Sequence, residues 1–229
     1  MHRDFWAARW EQQRIGFHLS EVNPHLLSYY RPWLAPTSES PTRPLVGRKI
    51  LVPLCGKALD LRWLADRGAQ VTGVEFVEQA AITFFEEQGL EFVTQTHRAG
   101  KMLVSATGGV SIRIIVADFF ALTSDDVGPV DAVYDRAALI AVEPDKRARY
   151  ASQLAGLCRT GARLLLITLE HDMGSGPPFT VPRSEVHATL GVTFALELVD
   201  DRDLLSSQSQ FSARGATSLR ELVWLATRS

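Results

Sequence analysis

Ile50-Leu51-Val52-Pro53-Leu54-Cys55-Gly56-Lys57-Ala58-Leu59-Asp60-Leu61-Arg62-Trp63-Leu64-Ala65 is the stretch that decides the fold. It begins as an apolar strand, turns at Pro53 and Gly56, and continues as an amphipathic helix with Leu59, Trp63 and Leu64 on one side. Downstream, Gln70-Val71-Thr72-Gly73-Val74-Glu75 reads as a second strand that ends on a carboxylate. A strand, a glycine turn, a helix and a strand ending in an acid make a nucleotide-binding half-unit. Gly56 lets backbone come close to a ligand. Glu75, about 20 residues further on, can accept hydrogen bonds from both ribose hydroxyls.

The turn departs from the dinucleotide fingerprint. That pattern has three glycines, and here Gly56 stands alone with Lys57 beside it. A pyrophosphate needs two close backbone approaches at the helix start. A ligand with a ribose and no phosphate needs less, which shifts the reading from NAD toward S-adenosylmethionine. Lys57 is not a P-loop lysine, because no second glycine and no Ser or Thr stand in register with it. Cys55 reads as a small residue packed in a tight turn.

Working outward, the core is expected to run strand 49–54, helix 58–67, strand 70–75 and helix 77–88. A short extended piece follows at 91–96. Segments 101–106 and 110–116 flank Thr107-Gly108-Gly109, a hairpin signal. Residues 131–135 form another strand, 144–157 a helix with Pro144 in its first turn, and 162–169 a fully apolar strand, with Gly161 ending the helix before it. Strands 192–199 and 219–226, joined by a Ser/Gln-rich loop, close the chain. This alternation predicts an α/β fold with a doubly wound, mostly parallel, Rossmann-like sheet, helices on both faces and an antiparallel C-terminal edge. Before the core, helices are expected at 4–14, with Trp6, Trp10 and Arg14 at i, i+4 spacing, and at 24–34. The three prolines of segment 36–44 make it a loop. The whole chain, 1–229, reads as one domain in which 1–44 is an appendage and linker to the core 45–229.

A net charge of -2 gives no electrostatic case for nucleic acid or an anionic membrane. No apolar run approaches the roughly 20 residues of a membrane span. Met1-His2-Arg3-Asp4-Phe5-Trp6 is not a secretory signal, and the two cysteines make no disulfide framework. A reducing cytoplasm is the simplest reading. Neither cysteine sits in a metal-ligand spacing and the histidines are scattered, so no metal is expected.

The chain resembles the thiopurine S-methyltransferases, in particular the bacterial members. The matching pieces are Trp6-x-x-x-Trp10 with Gly16-Phe17-His18, Val52-Pro53-Leu54-Cys55-Gly56-Lys57-Ala58, and Gly73-Val74-Glu75. Tyr134-Asp135-Arg136-Ala137-Ala138-Leu139, Gly176-Pro177-Pro178-Phe179 with Val181-Pro182, and Ala213-Arg214-Gly215 follow in the same order. The resemblance implies a class I methyltransferase fold, S-adenosylmethionine as methyl donor with S-adenosylhomocysteine as product, and a monomer. It implies methyl transfer to sulfur of small aromatic or heterocyclic thiols, with selenium and tellurium species as an alternative acceptor class.

The resemblance also distributes roles. Leu54 and Glu75 are implied as cofactor contacts, with Asp118 and Phe119 framing the adenine. Arg136 matches an arginine between cofactor and acceptor. Trp6, Trp10 and Phe17 match a segment that folds over the cofactor, Phe17 also reaching the acceptor. The family's animal members carry a second arginine at a position that falls near Gln210 here, and Arg214 is the nearby cation.

The residues themselves admit plainer readings. Trp6 and Trp10 could simply dock a helix. Asp118 could cap a turn rather than accept from the adenine amino group. Asp135 and Arg136 could be a structural pair, or a weak proton acceptor and an anchor for the acceptor. Phe179 and Val181 could be held by the prolines over a pocket, or belong to a stiff loop. Two rivals of other classes are a nicotinamide dehydrogenase, against which the missing glycines argue, and a catalytically silent binding protein.

Overall fold

The computed structural model describes residues 3–35 and 43–229. All but the last two residues of the expected loop 36–44 lie outside them. The N-terminal helices are α1 (Arg3–Glu11) and α2 (Pro24–Leu34). α1 ends earlier than its apolar spacing predicts, because Gln13 takes a left-handed backbone, φ 53°. Arg14 is therefore outside the helix. α2 starts with Pro24, and the side chain of Asn23 caps it by accepting from the His25 amide at 2.9 Å.

The core then runs β1 (Lys49–Pro53), α3 (Asp60–Ala65), β2 (Gln70–Glu75), α4 (Glu78–Glu87), β3 (Phe92–His97), β4 (Gly100–Ser105) and β5 (Ile112–Val116). A single turn, α5 (Ser124–Val127), leads into β6 (Val130–Arg136), and α6 (Arg147–Leu157) into the long β7 (Cys158–His171). α7 (Arg183–Thr189), β8 (Phe194–Asp203), the one-turn α8 (Ser209–Ser212) and β9 (Leu219–Arg228) complete the chain.

The strands form one sheet in the order β3-β4-β5-β2-β1-β6-β7-β9-β8. The five central strands β5-β2-β1-β6-β7 are parallel. The expected antiparallel C-terminal edge is present as β7-β9-β8. The hairpin expected around Thr107-Gly108-Gly109 is the antiparallel pair β4-β5; what was not anticipated is that the piece at 91–96 joins it as β3, antiparallel to β4, and makes a second antiparallel edge. β8 begins at Phe194, leaving Val192 exposed, and Gly161 lies inside β7 rather than at a helix end. α7 also escaped the sequence reading, since it follows prolines and carries a single buried residue, Val186.

Each face of the sheet carries its own core. One gathers Leu26 and Trp33 of α2, Leu61 of α3 and Phe84 of α4 against Ile50, Tyr134 and Leu165. The other packs Tyr150 and Leu154 of α6 and Val186 of α7 against Leu51, Val133 and Trp224. The chain leaves β1 toward β2 and β5 on one side and returns to β6 on the other. The strand order therefore reverses between β1 and β6, where open α/β sheets place their ligand crevice. No helix among the described residues is long and apolar enough to cross a membrane.

Candidate active site

The ends of β1, β2 and β6 open into a cavity of about 590 Å3. Two non-glycine residues with left-handed backbone stand where β1 and β6 end, Leu54 at φ 48° and Ala137 at φ 63°. Strained backbone of this kind costs about 1–3 kcal/mol and concentrates at functional sites. Leu54, Gly56, Glu75 and Arg136 all line the cavity, as do Trp6, Trp10, Phe17 and Arg214.

Glu75 closes β2 and is only 5% exposed. Its Oε1 accepts from the Val77 amide at 2.8 Å and its Oε2 from the Gly56 amide at 3.0 Å. Burial pushes its carboxyl up to about 7, and the backbone donors hold it back from rising further. Each carboxylate oxygen has a second lone-pair site, so both can still accept from a ligand. Gly56 is required for a reason the sequence does not announce: a Cβ here would come within 2.9 Å of the Trp10 ring, and the residue sits at φ 51°.

The N-terminal segment forms the aromatic wall. Trp6 and Trp10 each meet Phe17 edge-on, with ring centroids 5.5 Å apart. Trp10 buries itself against Val77 and Ala80 at the start of α4. Arg136 Nη1 donates to the Phe17 carbonyl at 2.7 Å and ties this segment to the end of β6. Trp6 and Trp10 thus dock a helix and line the cavity at once.

Other sequence-nominated residues lie elsewhere. Asp118 borders an adjoining pocket of about 450 Å3 and caps the turn at Phe119–Ala121, accepting from the Phe120 amide at 3.0 Å. Phe76 lines both pockets. Phe119 is core, packed on Tyr150 with centroids 5.1 Å apart, and lines neither pocket. Asp135 is fully buried beneath the β6 turn, its oxygens engaged by the Tyr150 hydroxyl at 2.7 Å and the Leu139 amide at 3.1 Å. Desolvation raises its carboxyl to about 6; it lines neither of the two cavities, and its hydrogen bonds buttress the turn. The alternation of side chains along β6 explains the split: Tyr134 and Arg136 face the cavity, and Asp135 faces the other core. Val181 is likewise core, and Phe179 is half-buried against Gly176, while Gly176, Pro177 and Pro178 line the cavity in their place. Cys55 packs under Gly73 and burial holds its thiol well above the usual range.

The cavity also holds residues that the sequence reading did not nominate: Arg9, His25, Asp60, Tyr134 and Glu221. His25 and Glu221 stand 196 positions apart, so no local pattern could join them. Asp60, set between Leu59 and Leu61, was the one legible signal, a carboxylate in an apolar run.

Comparison with known proteins bears on the family and the fold. The chain matches the family model for thiopurine S-methyltransferase (TPMT) over residues 1–229. It is 43% identical over 226 residues to a thiopurine S-methyltransferase of Pseudomonas fluorescens Pf-5, covering 98% of this chain and 96% of that one. It is 43% identical over 228 residues to the protein of the same name from Azotobacter vinelandii, with 98% of each covered. Among solved structures it is similar to magnesium protoporphyrin IX methyltransferase from Synechocystis PCC 6803 with bound SAH. That likeness has a TM-score of 0.62 at 18% identity, over 99% of this chain and 97% of the other. The sheet, the crevice at its reversal point and these matches place the chain in the thiopurine S-methyltransferase family of methyltransferases.

Proposed function

We propose that this protein transfers the methyl group of S-adenosylmethionine to the sulfur of small aromatic or heterocyclic thiols. The observation that carries the reading is one cavity uniting the Glu75 carboxylate, the Gly56 turn, the Trp6-Trp10-Phe17 wall and Arg136. Glu75 binds the ribose hydroxyls, and Leu54 and Gly56 lie beneath the cofactor. Asp118 faces the adenine from the adjoining pocket, which shares Phe76 with the main one.

The cofactor brings an activated methyl on a sulfonium; the chain's own residues supply position and a dry site. Aromatic faces near a cation contribute roughly 0.5–2 kcal/mol each, a role suited to Trp6, Trp10 and Phe17. Arg136 holds the N-terminal segment through the Phe17 carbonyl and has further N–H groups to orient the acceptor. Arg214, on the cavity rim, is a second cation for it. Residues 1–44 act as a lid and linker on the core 45–229 of a single domain, in a cytoplasmic monomer. Selenium and tellurium species are alternative acceptors for the same site. A nicotinamide reading fares worse, because the turn has Gly56 alone where the dinucleotide pattern has three glycines.

Calorimetry with S-adenosylhomocysteine and with NAD separates the two cofactor classes, and binding of the first alone is expected. No binding of S-adenosylhomocysteine sinks the proposal. Methyl-transfer assays against 2-nitro-5-thiobenzoate, 6-mercaptopurine, selenite and tellurite then rank the acceptors.

A further inference from the structure

The cavity has a charged side that the cofactor reading leaves unused. Arg136 pairs with Ile167, and Leu169, two residues on, pairs with Glu221. Arg136, Leu169 and Glu221 therefore stand on the same face of three adjacent strands, and all three line the cavity. Glu221 Oε2 lies 2.6 Å from His25 Nε2, and its other carboxylate oxygen has no hydrogen-bond partner among the described residues. His25 is 2% exposed and also lines the cavity. Its Nδ1 is buried without a hydrogen bond, 3.8 Å from Asp200 Oδ2.

The charged and titratable neighbours come from four elements. β8 brings Asp200 paired with Arg202, whose charge reaches Glu221. α2 brings Tyr29, whose ring stacks on His25 and whose hydroxyl donates to Asp200 at 3.1 Å. β6 brings Tyr134 and Arg136. α3 brings Asp60, which accepts from the Asn23 amide at 2.8 Å and lies 3.5 Å from the Tyr134 hydroxyl. Only Glu221 combines a fixed carboxylate with a free oxygen on the strand next to β7, beyond Arg136. A carboxylate steadied at one oxygen and open at the other is placed to act as a general base.

Resting on the methyl-transfer reading, we propose that Glu221 accepts the proton of the acceptor thiol, with His25 as its positioning residue. A thiolate is the nucleophile, and a thiol of ordinary pKa, about 8.5, is mostly protonated near neutral pH. The proton passes from the acceptor sulfur to the free Glu221 oxygen, and a sulfur lone pair forms the new bond to the methyl carbon. The methyl–sulfonium bond breaks, its electron pair staying on the S-adenosylhomocysteine sulfur, and Glu221 returns the proton to water. The site thereby takes weakly acidic alkyl-type thiols as well as aromatic ones that ionise unaided.

The test compares 4-nitrothiophenol, an acidic thiol, with phenylmethanethiol, a weakly acidic one of similar size. Glu221→Gln is expected to lower kcat/KM for phenylmethanethiol by roughly 100-fold or more, and that for 4-nitrothiophenol by under about a tenth of that factor. Raising the pH, which ionises phenylmethanethiol in solution, should narrow the gap in the variant. His25→Asn should move in the same direction by less and shift the same pH profile, which a purely structural loss would leave in place. Calorimetry with S-adenosylhomocysteine reports whether each variant is folded. If Glu221→Gln is not, Glu221→Asp, with its carboxylate drawn back by one methylene, carries the comparison. Equal losses on both thiols, or no loss on either, overturn the assignment of Glu221 alone. A wild-type protein that binds S-adenosylhomocysteine yet methylates neither thiol overturns methyl transfer to sulfur and this proposal together.

Discussion

Glu75 shows how one carboxyl can couple folding, ligand binding and pH. Its ordinary value is 4.5 and burial raises it to about 7 in the ligand-free fold. A raised carboxyl contributes stability that is fully present below the unfolded value and lost as pH rises through the folded one. On the proposed reading ribose hydroxyls would donate to the ionised form, so binding would oppose that rise. Affinity for S-adenosylhomocysteine is therefore expected to increase between about pH 6 and pH 8 and then level off, as read by calorimetry. Glu75→Gln should flatten that dependence and weaken binding by about 1–3 kcal/mol; a variant with an unchanged pH profile would remove Glu75 from the ribose site. Arg136 belongs to the same scale. Arg136→Ala deletes the donor to the Phe17 carbonyl and a cavity cation together. It should cut kcat/KM by about 10–100-fold, from the loss of charged hydrogen bonds, while reducing cofactor affinity less. Equal losses in both would place Arg136 on the cofactor.

At the scale of elements, the N-terminal segment is the part whose sequence and structure roles overlap most. The i, i+4 tryptophans were read both as a docking face and as a cavity wall, and the structure has them do both: Trp10 packs on α4 while its ring fills the space over Gly56. Among its described residues the segment contributes no strand, and its apolar packing lies in a satellite cluster apart from the two main cores. Deleting residues 1–17 should leave the sheet folded, with its far-UV circular dichroism preserved, and abolish binding of S-adenosylhomocysteine. Full methyl-transfer activity in that truncation rules the lid out. The Gly176-Pro177-Pro178-Phe179 element was read less well. Its prolines reach the cavity, but Phe179 turns aside and Val181 enters the core. Which side of a loop faces a pocket depends on what it packs against, and loop sequence has no periodicity to reveal that.

For the whole molecule, one continuous nine-stranded sheet with cores on both faces predicts a single cooperative transition. Urea unfolding followed by tryptophan fluorescence and by far-UV circular dichroism should give coincident curves. Separate midpoints would divide the chain into two units and contradict the single domain. The antiparallel strands β3-β4 and β9-β8 flank the parallel centre. The C-terminal pair and the β4-β5 hairpin were expected and the pairing of β3 was not, because a hairpin announces itself by its glycine turn and a buried strand by its apolarity. An exposed edge strand such as β3, with four of its six residues exposed, does not.

The sequence by itself determined the half-unit around Gly56 and Glu75 and the alternation that makes the α/β sheet. These are local patterns: periodicity, turn chemistry and a spacing of about 20 residues. The tertiary structure alone decided which of two neighbours, Asp135 or Arg136, faces the cavity, why Gly56 must be glycine, and that His25 meets Glu221 across 196 positions. Each of those depends on which sheet face or partner strand a residue meets. Register and packing between distant segments fix that choice, and no window of adjacent residues encodes it.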